Sequence, residues 1–372
     1  MASTKTKIKK NWLQTILVEG RQHLENPGFD PDVRHSFLRA LECRTPALGR
    51  RVYASENAEA VFCNTCKSPA CTVCGHWATI QWQRERWCAL PEGPYKGITF
   101  TMPDTLWPLF AANPHLTREL PRIATSATTI YGKVYKGLDV GVMPILHTFN
   151  GKLEFNSHVH ALVFAKDLQE PSQSRDARSF FRKDLIMQSW KKFVIALLRS
   201  ALRAGRLVST LPKGELEHLL RREECRWWNV HIQCFKGKEH FLRYAGRYAR
   251  RPPIANRRIQ SVSNGLVSFW YTDKRLKRRQ IVVCTVAEFI DRWAQHIPKR
   301  YRHAVRHCGI FASRRWNRVA EAAFLLSGQI RRPRPKRLPW NLSVRRLSGR
   351  DPLIDNKGCR MRFVKHLSPV AA

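Results

Sequence analysis

The stretch from residue 140 to residue 164, VGVMPILHTFNGKLEFNSHVHALVF, decides the fold of this 372-residue chain. Apolar and β-branched residues dominate its two ends, residues 140–149 and 158–164, and this pattern predicts two strands. Working outward, the same criteria predict strands at residues 98–102, 265–271 and 280–285, and helices at residues 179–203 and 286–296. Strands that are often adjacent in sequence, with helices between some of them, predict an α+β domain built on an antiparallel sheet with flanking helices.

Two histidines, His158 and His160, lie in the second strand of this stretch. Residues i and i+2 of a strand point to the same face, so both imidazoles can converge on one metal ion. A histidine pair alone is more often a surface or core feature, so a metal site needs a further ligand. His147 lies opposite the pair if residues 150–157 form a wide loop, whereas a tight two-residue turn would pair His147 with Glu154. We favour the wide loop and keep Glu154 as the alternative ligand.

Four cysteines form a second motif, Cys63-x2-Cys66-x4-Cys71-x2-Cys74. Two CxxC pairs can place four thiolates around one tetrahedral ion, and zinc prefers such sulfur-rich sites. The four-residue spacer is short, so a more distant ligand can complete the site. The candidates for that ligand are Cys43, His76 and Cys88. The competing interpretation is a group of buried free cysteines.

Two tyrosines, Tyr244 and Tyr248, are separated by four residues in a segment that precedes a Pro-Pro pair. On a helix, this spacing puts both phenols on one face. The flanking cations are Arg243, Arg247, Arg250 and Arg251. A free phenol has a pKa near about 10, so a tyrosine nucleophile needs a metal-polarised substrate and nearby positive charge. Judged alone, the pair is more often core packing; joined to the histidine pair and the cysteines, it indicates catalysis.

The charge balance identifies the partner. The chain has 66 Lys and Arg against 28 Asp and Glu, a formal net charge of +38. A field of that size predicts a polyanionic partner, and nucleic acid is the usual one. Arg84 and Arg86 follow the cysteine motif and are expected to extend its DNA-binding surface. No stretch is apolar enough for a membrane span or a signal peptide, so we expect a reducing compartment, where the 11 cysteines are metal ligands or free thiols.

Composition divides the chain into four parts. Residues 1–42 form a basic helical segment, residues 43–92 a zinc-binding DNA-recognition module, and residues 93–310 the main catalytic domain. Residues 311–372 form a basic tail that includes RRPRPKR at 331–337. We expect this tail either to bind phosphates nonspecifically or to be a solvated, disordered segment.

Taken together, these residues resemble the HUH nucleases, named for two histidines that flank a hydrophobic residue, here Val159. More closely, the chain resembles the two-tyrosine rolling-circle transposases of the insertion-sequence ninety-one family. The resemblance covers roughly residues 40 to 312 and rests on several motifs together. These are CRTPALG at 43–49, the cysteine module at 63–75, LHTFN and HVHALV within 146–163, YAGRYARRPPIA at 244–255, SFWYTDK at 268–274, and EFIDRW with HIP within 288–298.

The resemblance implies roles for matching residues. His158 and His160 would hold a divalent ion, Mg²⁺ or Mn²⁺, with His147 as the third ligand. Tyr244 and Tyr248 would each attack a DNA phosphate, giving a 5′-phosphotyrosine and a free 3′-hydroxyl. It also implies a zinc-binding domain that recognises the end of a mobile element, a single-stranded DNA substrate at element ends and target, and a bacterial cytoplasmic, nucleoid-associated location.

Three alternatives remain open at this point. A noncatalytic zinc-dependent DNA-binding protein, or an inactivated transposase remnant, shares the cysteines and the charge but gives no reason for the histidine and tyrosine pairs to coexist. A replication initiator or relaxase shares the nicking chemistry, although the zinc module and the absence of a GxxxxGK[ST] loop disfavour it. A metal-dependent hydrolase that uses the histidines alone would turn over without a covalent intermediate.

Overall fold

The computed structural model describes residues 11–90, 93, 95–164, 181–249, 252–273, 276–298, 305–309, 311–312, 328 and 333–370. Helices and antiparallel strands both occur throughout these residues, which confirms the α+β class. The strands are β1 (Arg50–Ala54), β2 (Glu59–Cys63), β3 (Tyr95–Phe100), β4 (Gly141–Phe149), β5 (Phe155–Phe164), β6 (Val230–Phe235), β7 (Ile259–Ser263), β8 (Leu266–Asp273), β9 (Arg278–Thr285), β10 (Cys308–Gly309) and β11 (Arg362–Leu367). The helices are α1 (Trp12–Glu19), α2 (Arg21–Leu24), α3 (Pro31–Leu41), α4 (Thr72–Ala89), α5 (Trp107–Ala112), α6 (Pro114–Thr117), α7 (Leu120–Lys136), α8 (Lys183–Arg203), α9 (Lys213–Cys225), α10 (Lys238–Ala249), α11 (Val286–Ala294) and α12 (Trp340–Ser348).

The central sheet has the strand order β10-β4-β5-β3-β6 within the described residues, and every neighbouring pair is antiparallel. Alternation along β3 sends Ile98 and Phe100 to one face, where they pack with α7, α8 and α9, and sends Tyr95 to the other. That second face is covered by α4 and α10. Residues 158 and 160 share the parity of Leu162, which packs on this second face, so both histidines point toward the α10 side.

The β4–β5 hairpin puts His147 directly opposite His158, which confirms the expected register. The expectation that the loop runs to residue 157 is wrong, because β5 already begins at Phe155. A register shift between His147 and Phe149 brings His147 opposite His158 even though the loop is shorter than expected. The remaining turn, residues 150–154, is held by Asn150, whose Oδ1 accepts hydrogen bonds from the backbone N–H groups of residues 152 and 154.

A second body of the fold joins the N-terminal helices to a small sheet of order β7-β8-β9. One face of this sheet is buried, with Val267 and Phe269 fully inaccessible to solvent. α11 follows β9 through a capping box formed by Thr285 and Glu288, and packs on the same face. α1 and α3 add to this core, where the ring of Phe37 lies 4.8 Å from that of Trp293.

A further sheet of order β11-β1-β2 joins the C-terminal residues to the cysteine-rich module. Its small core places Trp340 of α12 against Tyr53 and Phe62, with ring centroids 5.8 and 4.8 Å apart. Residues 333–339 run beside α4, where Arg334 pairs with Glu85 at 3.2 Å. The described part of the expected C-terminal tail is therefore folded against the module that begins at residue 43.

Among the described helices, none has the length and apolar character needed to cross a bilayer.

Candidate functional site

Four thiols converge where α3, the segment after β2 and the start of α4 meet. They belong to Cys43, Cys66, Cys71 and Cys74. The sulfur of Cys74 lies 3.8 Å from that of Cys43 and 3.6 Å from that of Cys66, and Cys71 lies 3.7 Å from Cys43. Tetrahedral zinc with Zn–S bonds of about 2.3 Å separates neighbouring sulfurs by about 3.8 Å, so the cluster has the size of a zinc site.

Backbone amides also point at these sulfurs. The N–H of Lys67 donates to Cys74 Sγ and that of Ser68 donates to Cys66 Sγ, each at 3.3 Å. Hydrogen bonds with Cys43 and the other two thiols lower the pKa of Cys74, which favours the thiolate that binds metal. Lys67 adopts a left-handed φ of 56°, and this turn allows the chain to fold its amides back onto the sulfurs.

The structure corrects the expected ligand set at one position, because Cys43 takes the place expected for Cys63. Cys63 is the last residue of β2, paired with Arg50 of β1, and it lies outside the four-thiol group. Cys43 is brought in because the N–H of Arg44 donates to the carbonyl of Asn64 at 3.0 Å, which ties the end of α3 to the segment that follows β2. His76 and Cys88, the other candidates, do not belong to the group.

Three histidines form the second cluster: His147, His158 and His160, whose candidate ligand nitrogens all lie within 4.8 Å of one another. The ring centroids are 5.0 to 5.2 Å apart. Burial lowers the pKa of His147 well below its usual range, so its imidazole is neutral at neutral pH and its nitrogen lone pair is available to a metal. Glu154, the alternative ligand, is exposed and instead accepts a hydrogen bond from Asn150 at 2.8 Å.

Neighbouring groups orient two of these rings. His158 Nδ1 lies 2.8 Å from the carbonyl of Asn156, which can only accept, so this nitrogen donates and Nε2 is left to face the cluster. Thr99 Oγ1 of β3 lies 3.1 Å from His160 Nδ1. Sequence reasoning missed Thr99, although strand alternation and the β3–β5 pairing of Thr99 with His160 place it there.

The first tyrosine of the pair reaches the histidine cluster. Tyr244 Oη on α10 lies 3.1 Å from His160 Nδ1, and the ring packs 5.1 Å from that of Phe235. The guanidinium of Arg247 lies 5.4 Å from the centroid of the Tyr244 ring. Tyr248 follows one turn later within α10, and its side chain lies outside the described part of the structure.

The glycine between the two tyrosines allows α10 to cross α4 closely. A Cβ at Gly246 would lie 2.8 Å from Gln83 Cδ and 3.1 Å from Thr79 Cγ2. Gln83 Nε2 in turn donates to the carbonyl of Leu242 at 2.9 Å. Since Cys74 lies in the first turn of α4, this helix links the four-thiol cluster directly to the tyrosine helix.

The arginines expected to contact DNA have different surroundings. Arg243 is exposed and paired with Glu239 at 2.6 Å, whereas Arg86 lies 3.1 Å from His307 Nε2. Arg84 reaches the carbonyl of Lys336 at 3.5 Å. Arg250 and Arg251 lie outside the described residues.

His296, just after α11, is a second residue that sequence reasoning missed. Its Nδ1 lies 3.0 Å from Thr148 Oγ1 and its Nε2 lies 3.1 Å from the carbonyl of Leu153. Burial lowers the pKa of His296 to about 4, so it is neutral at neutral pH. It thereby ties the second body of the fold to the hairpin that carries His147 and His158.

Two family profiles match the chain. The "Transposase zinc-binding domain" profile of the insertion-sequence ninety-one group matches residues 16–102, and the "Putative transposase" profile matches residues 141–318. The first contains the four-thiol cluster, and the second contains the three histidines and both tyrosines. No solved structure matches the chain at a significant level.

Relatives cover most of the chain. It is 32% identical over 308 residues to the "Transposase for insertion sequence element IS801" of Pseudomonas savastanoi pv. phaseolicola, a match that spans 78% of this chain and 73% of that protein. It is 27% identical over 321 residues to the "Putative transposase y4qJ" of Sinorhizobium fredii (strain NBRC 101917 / NGR234), which spans 81% and 80%. The chain has a zinc-binding domain, and it belongs to the transposase family of insertion sequences ninety-one and 801.

Proposed function

We propose that this transposase nicks and rejoins single-stranded DNA at element ends through 5′-phosphotyrosine intermediates. The observation that supports this most directly is the hydrogen bond between Tyr244 Oη and His160 Nδ1, because it puts a potential nucleophile beside three converging imidazoles. DNA is the substrate of a transposase, and the net charge of +38 suits a phosphate backbone.

The three imidazoles fit a divalent ion, Mg²⁺ or Mn²⁺. Their candidate nitrogens lie within 4.8 Å of one another, and His147 is held neutral by burial. A bound ion would act as a Lewis acid on an oxygen of the scissile phosphate. An all-nitrogen donor set suits Mn²⁺ better than Mg²⁺, which prefers oxygen ligands.

Two further groups of the chain prepare the nucleophile. With His160 Nε2 directed into the cluster, Nδ1 carries the imidazole proton and shares this one hydrogen between Tyr244 Oη and Thr99 Oγ1, each at 3.1 Å. This hydrogen bond stabilises negative charge on the phenol oxygen as its proton leaves. The Arg247 guanidinium, 5.4 Å from the centroid of the Tyr244 ring, adds a positive charge beside the site where the phosphate would bind.

In the cleavage step, Tyr244 Oη attacks phosphorus and the bond from phosphorus to the 3′ oxygen breaks. The phenol loses a proton and the departing 3′ oxygen gains one, so a 5′-phosphotyrosine and a 3′-hydroxyl result. Rejoining reverses these bonds when a 3′-hydroxyl attacks the phosphotyrosine and releases the phenol. Because one phosphodiester replaces another, no nucleotide triphosphate is consumed. Tyr248, on the same helix, would serve a second strand.

The zinc-binding domain is proposed to recognise the element end. Cys43, Cys66, Cys71 and Cys74 hold a structural zinc ion, and Arg84 and Arg86 of α4 contact phosphates. Since α4 also packs against α10 at Gly246, a DNA end bound by the zinc-binding domain is held in register with the tyrosines.

The test is formation of a covalent adduct. Purified protein is incubated with labelled single-stranded oligonucleotides that carry candidate element ends, with Mn²⁺ or Mg²⁺, and SDS-resistant adducts are resolved by electrophoresis. We expect a metal-dependent adduct that is lost in Tyr244→Phe/Tyr248→Phe and in His158→Ala/His160→Ala. The single variants show which tyrosine attacks first, and we expect Tyr244→Phe to abolish the first adduct.

Other outcomes would contradict the proposal. Tight, salt-sensitive binding with a folded zinc domain but no adduct on any end would indicate a noncatalytic DNA-binding protein. Strand cleavage that persists in the double tyrosine variant would indicate a hydrolase that uses the histidines without a covalent step. Tyr135→Phe is the control variant, since Tyr135 is an exposed tyrosine on α7, which packs on the face of the central sheet opposite the histidines, and it should leave adduct formation unchanged.

A further inference from the structure

The sheet of β7, β8 and β9 has one buried face and one open face. The open face presents three exposed aliphatic side chains, Leu266, Ile281 and Val283, with 46%, 61% and 58% of their surface accessible. Trp270 lies among them, directly opposite Ile281 in the β8–β9 pairing. Contiguous exposed apolar side chains on a folded surface mark an interaction site more often than a solvated face.

Positive charge adjoins this apolar surface. The guanidinium of exposed Arg279 lies 4.4 Å from the centroid of the Trp270 ring. Trp270 Nε1 donates to the carbonyl of Arg257 at 3.2 Å, which orients the indole across the face. The turn before β9 adds exposed Lys277, whereas Arg278 pairs with Asp273 and lies on the other face. Asp273, the one carboxylate within these three strands, has the parity of buried Phe269 and so belongs to the other face.

We infer that this open face binds single-stranded DNA, with bases stacked on Trp270 and Arg279 and phosphates against the basic turn end. This rests on the proposed function and adds to it the surface that holds the single strand. Aromatic and guanidinium planes beside positive charge are the chemistry by which proteins bind unpaired nucleic acid without sequence preference. A second copy of this chain fits the face less well, because it would bring the same arginines together in a protein of net charge +38.

The sheet is also attached to the histidine cluster. A Cβ on Gly151 in the β4–β5 turn would lie 3.1 Å from Tyr271 Cβ, and Arg258 donates to the carbonyl of Gly151. Lys152 Nζ lies 5.6 Å from the centroid of the Tyr271 ring. The β4–β5 hairpin carries His147 and His158, so the sheet itself is fixed beside the proposed cleavage site, with the hairpin contacting Tyr271 on the face opposite Trp270.

The test measures binding of single-stranded DNA separately from its cleavage. Fluorescence anisotropy compares a labelled oligo(dT) of about 15 nucleotides with an abasic deoxyribose-phosphate chain of the same length, with no divalent metal added. We expect Trp270→Ala to weaken oligo(dT) binding about tenfold and to leave the abasic chain unchanged, because stacking needs a base. Trp270→Phe should retain most of the affinity. Lys277→Ala, at the basic turn end, should lower the salt dependence of log K by about 0.7 on both probes.

The matched control is Trp227→Ala, which removes a tryptophan that is 61% exposed in the loop before β6 and should change neither affinity. If Trp270→Ala perturbs folding, as judged by circular dichroism, Ile281→Ser tests the same face with an exposed side chain and should weaken oligo(dT) selectively. Unchanged oligo(dT) binding in the Trp270 and Ile281 variants overturns the inference. An equal loss of affinity for oligo(dT) and for the abasic chain also overturns it. A change in sedimentation of these variants with DNA binding intact overturns it as well, because it would indicate that the face mediates self-association. Adduct formation is measured separately, so failure of the cleavage proposal is distinguishable from failure of this one.

Discussion

Replacing Cys43 with serine separates the zinc site of the structure from the site that CxxC spacing predicts. The structure groups Cys43 with three other thiols, its sulfur 3.8 Å from that of Cys74 and 3.7 Å from that of Cys71, and places Cys63 outside that group. Zinc binding to structural sites is worth about 10–16 kcal/mol, so an equal share for four thiolates is about 3 kcal/mol, or somewhat more than a hundredfold in affinity. We expect that loss in Cys43→Ser and little change in Cys63→Ser.

Zinc content and affinity measure this directly. Zinc per chain is determined by atomic emission, and zinc affinity is determined by competition with a chromophoric chelator. Thermal unfolding gives the melting temperature of each variant. Cys225→Ser is the matched control, because Cys225 is an exposed free thiol at the end of α9. Cys43 also packs in the core that contains Phe37 and Trp293, so zinc loss should lower the melting temperature of Cys43→Ser. Full zinc affinity in Cys43→Ser together with loss in Cys63→Ser would refute the reasoning.

Three other substitutions test the contacts of Thr99, His296 and Trp340. Thr99→Val should lower metal affinity by about tenfold at most, because it removes one hydrogen-bond partner of His160 Nδ1 while Tyr244 Oη remains as the other, and Thr99→Ser should restore the affinity; equal affinities in both variants would contradict this role. Burial holds the pKa of His296 at about 4 against 6.5 when unfolded, so its contribution of about 3 kcal/mol is present above pH 6.5 and is lost as the pH falls toward 4. The free energy of unfolding, measured with urea between these pH values, should depend less on pH in His296→Asn than in the unaltered chain. An equal pH dependence in the two proteins would contradict this contribution of His296. Trp340→Ala should destabilise the zinc-binding domain by about 3–5 kcal/mol, because the indole packs on Tyr53, and calorimetry that finds no shift would exclude this packing role.

Strand patterns predicted that the three histidines lie close together, as they do in the structure. Alternation placed His158 and His160 on one face, since that geometry depends only on residues two apart. The pairing of His147 with His158 was also expected, but it was expected to require a loop that runs to residue 157, whereas β5 begins at Phe155. The register depends on a bulge before Phe149 and on the buried turn residue Leu153, which is held in the core of the neighbouring body. Both are set by contacts outside the hairpin.

The cysteine motif shows where local spacing misleads. Cys63 and Cys66 have the spacing of a zinc knuckle, yet Cys63 belongs to a strand whose pairing with β1 sets the position of its side chain. The ligand that replaces it is 23 residues before Cys66 in sequence and reaches the site through a backbone hydrogen bond between Arg44 and Asn64. No spacing rule encodes such a bond.

The sequence by itself determined the α+β class, the histidine pair, the tyrosine pair, the zinc-binding module and a nucleic-acid partner. Each of these follows from periodicity, residue chemistry or net charge, which are local or additive properties of the chain. Only the tertiary structure decided that Cys43 joins the thiols, that Thr99 and His296 support the histidines, that Tyr244 touches His160, and that β11 pairs with β1. These contacts join residues 23 to more than 300 positions apart, and they depend on how separately formed helices and sheets pack, which no short-range pattern specifies.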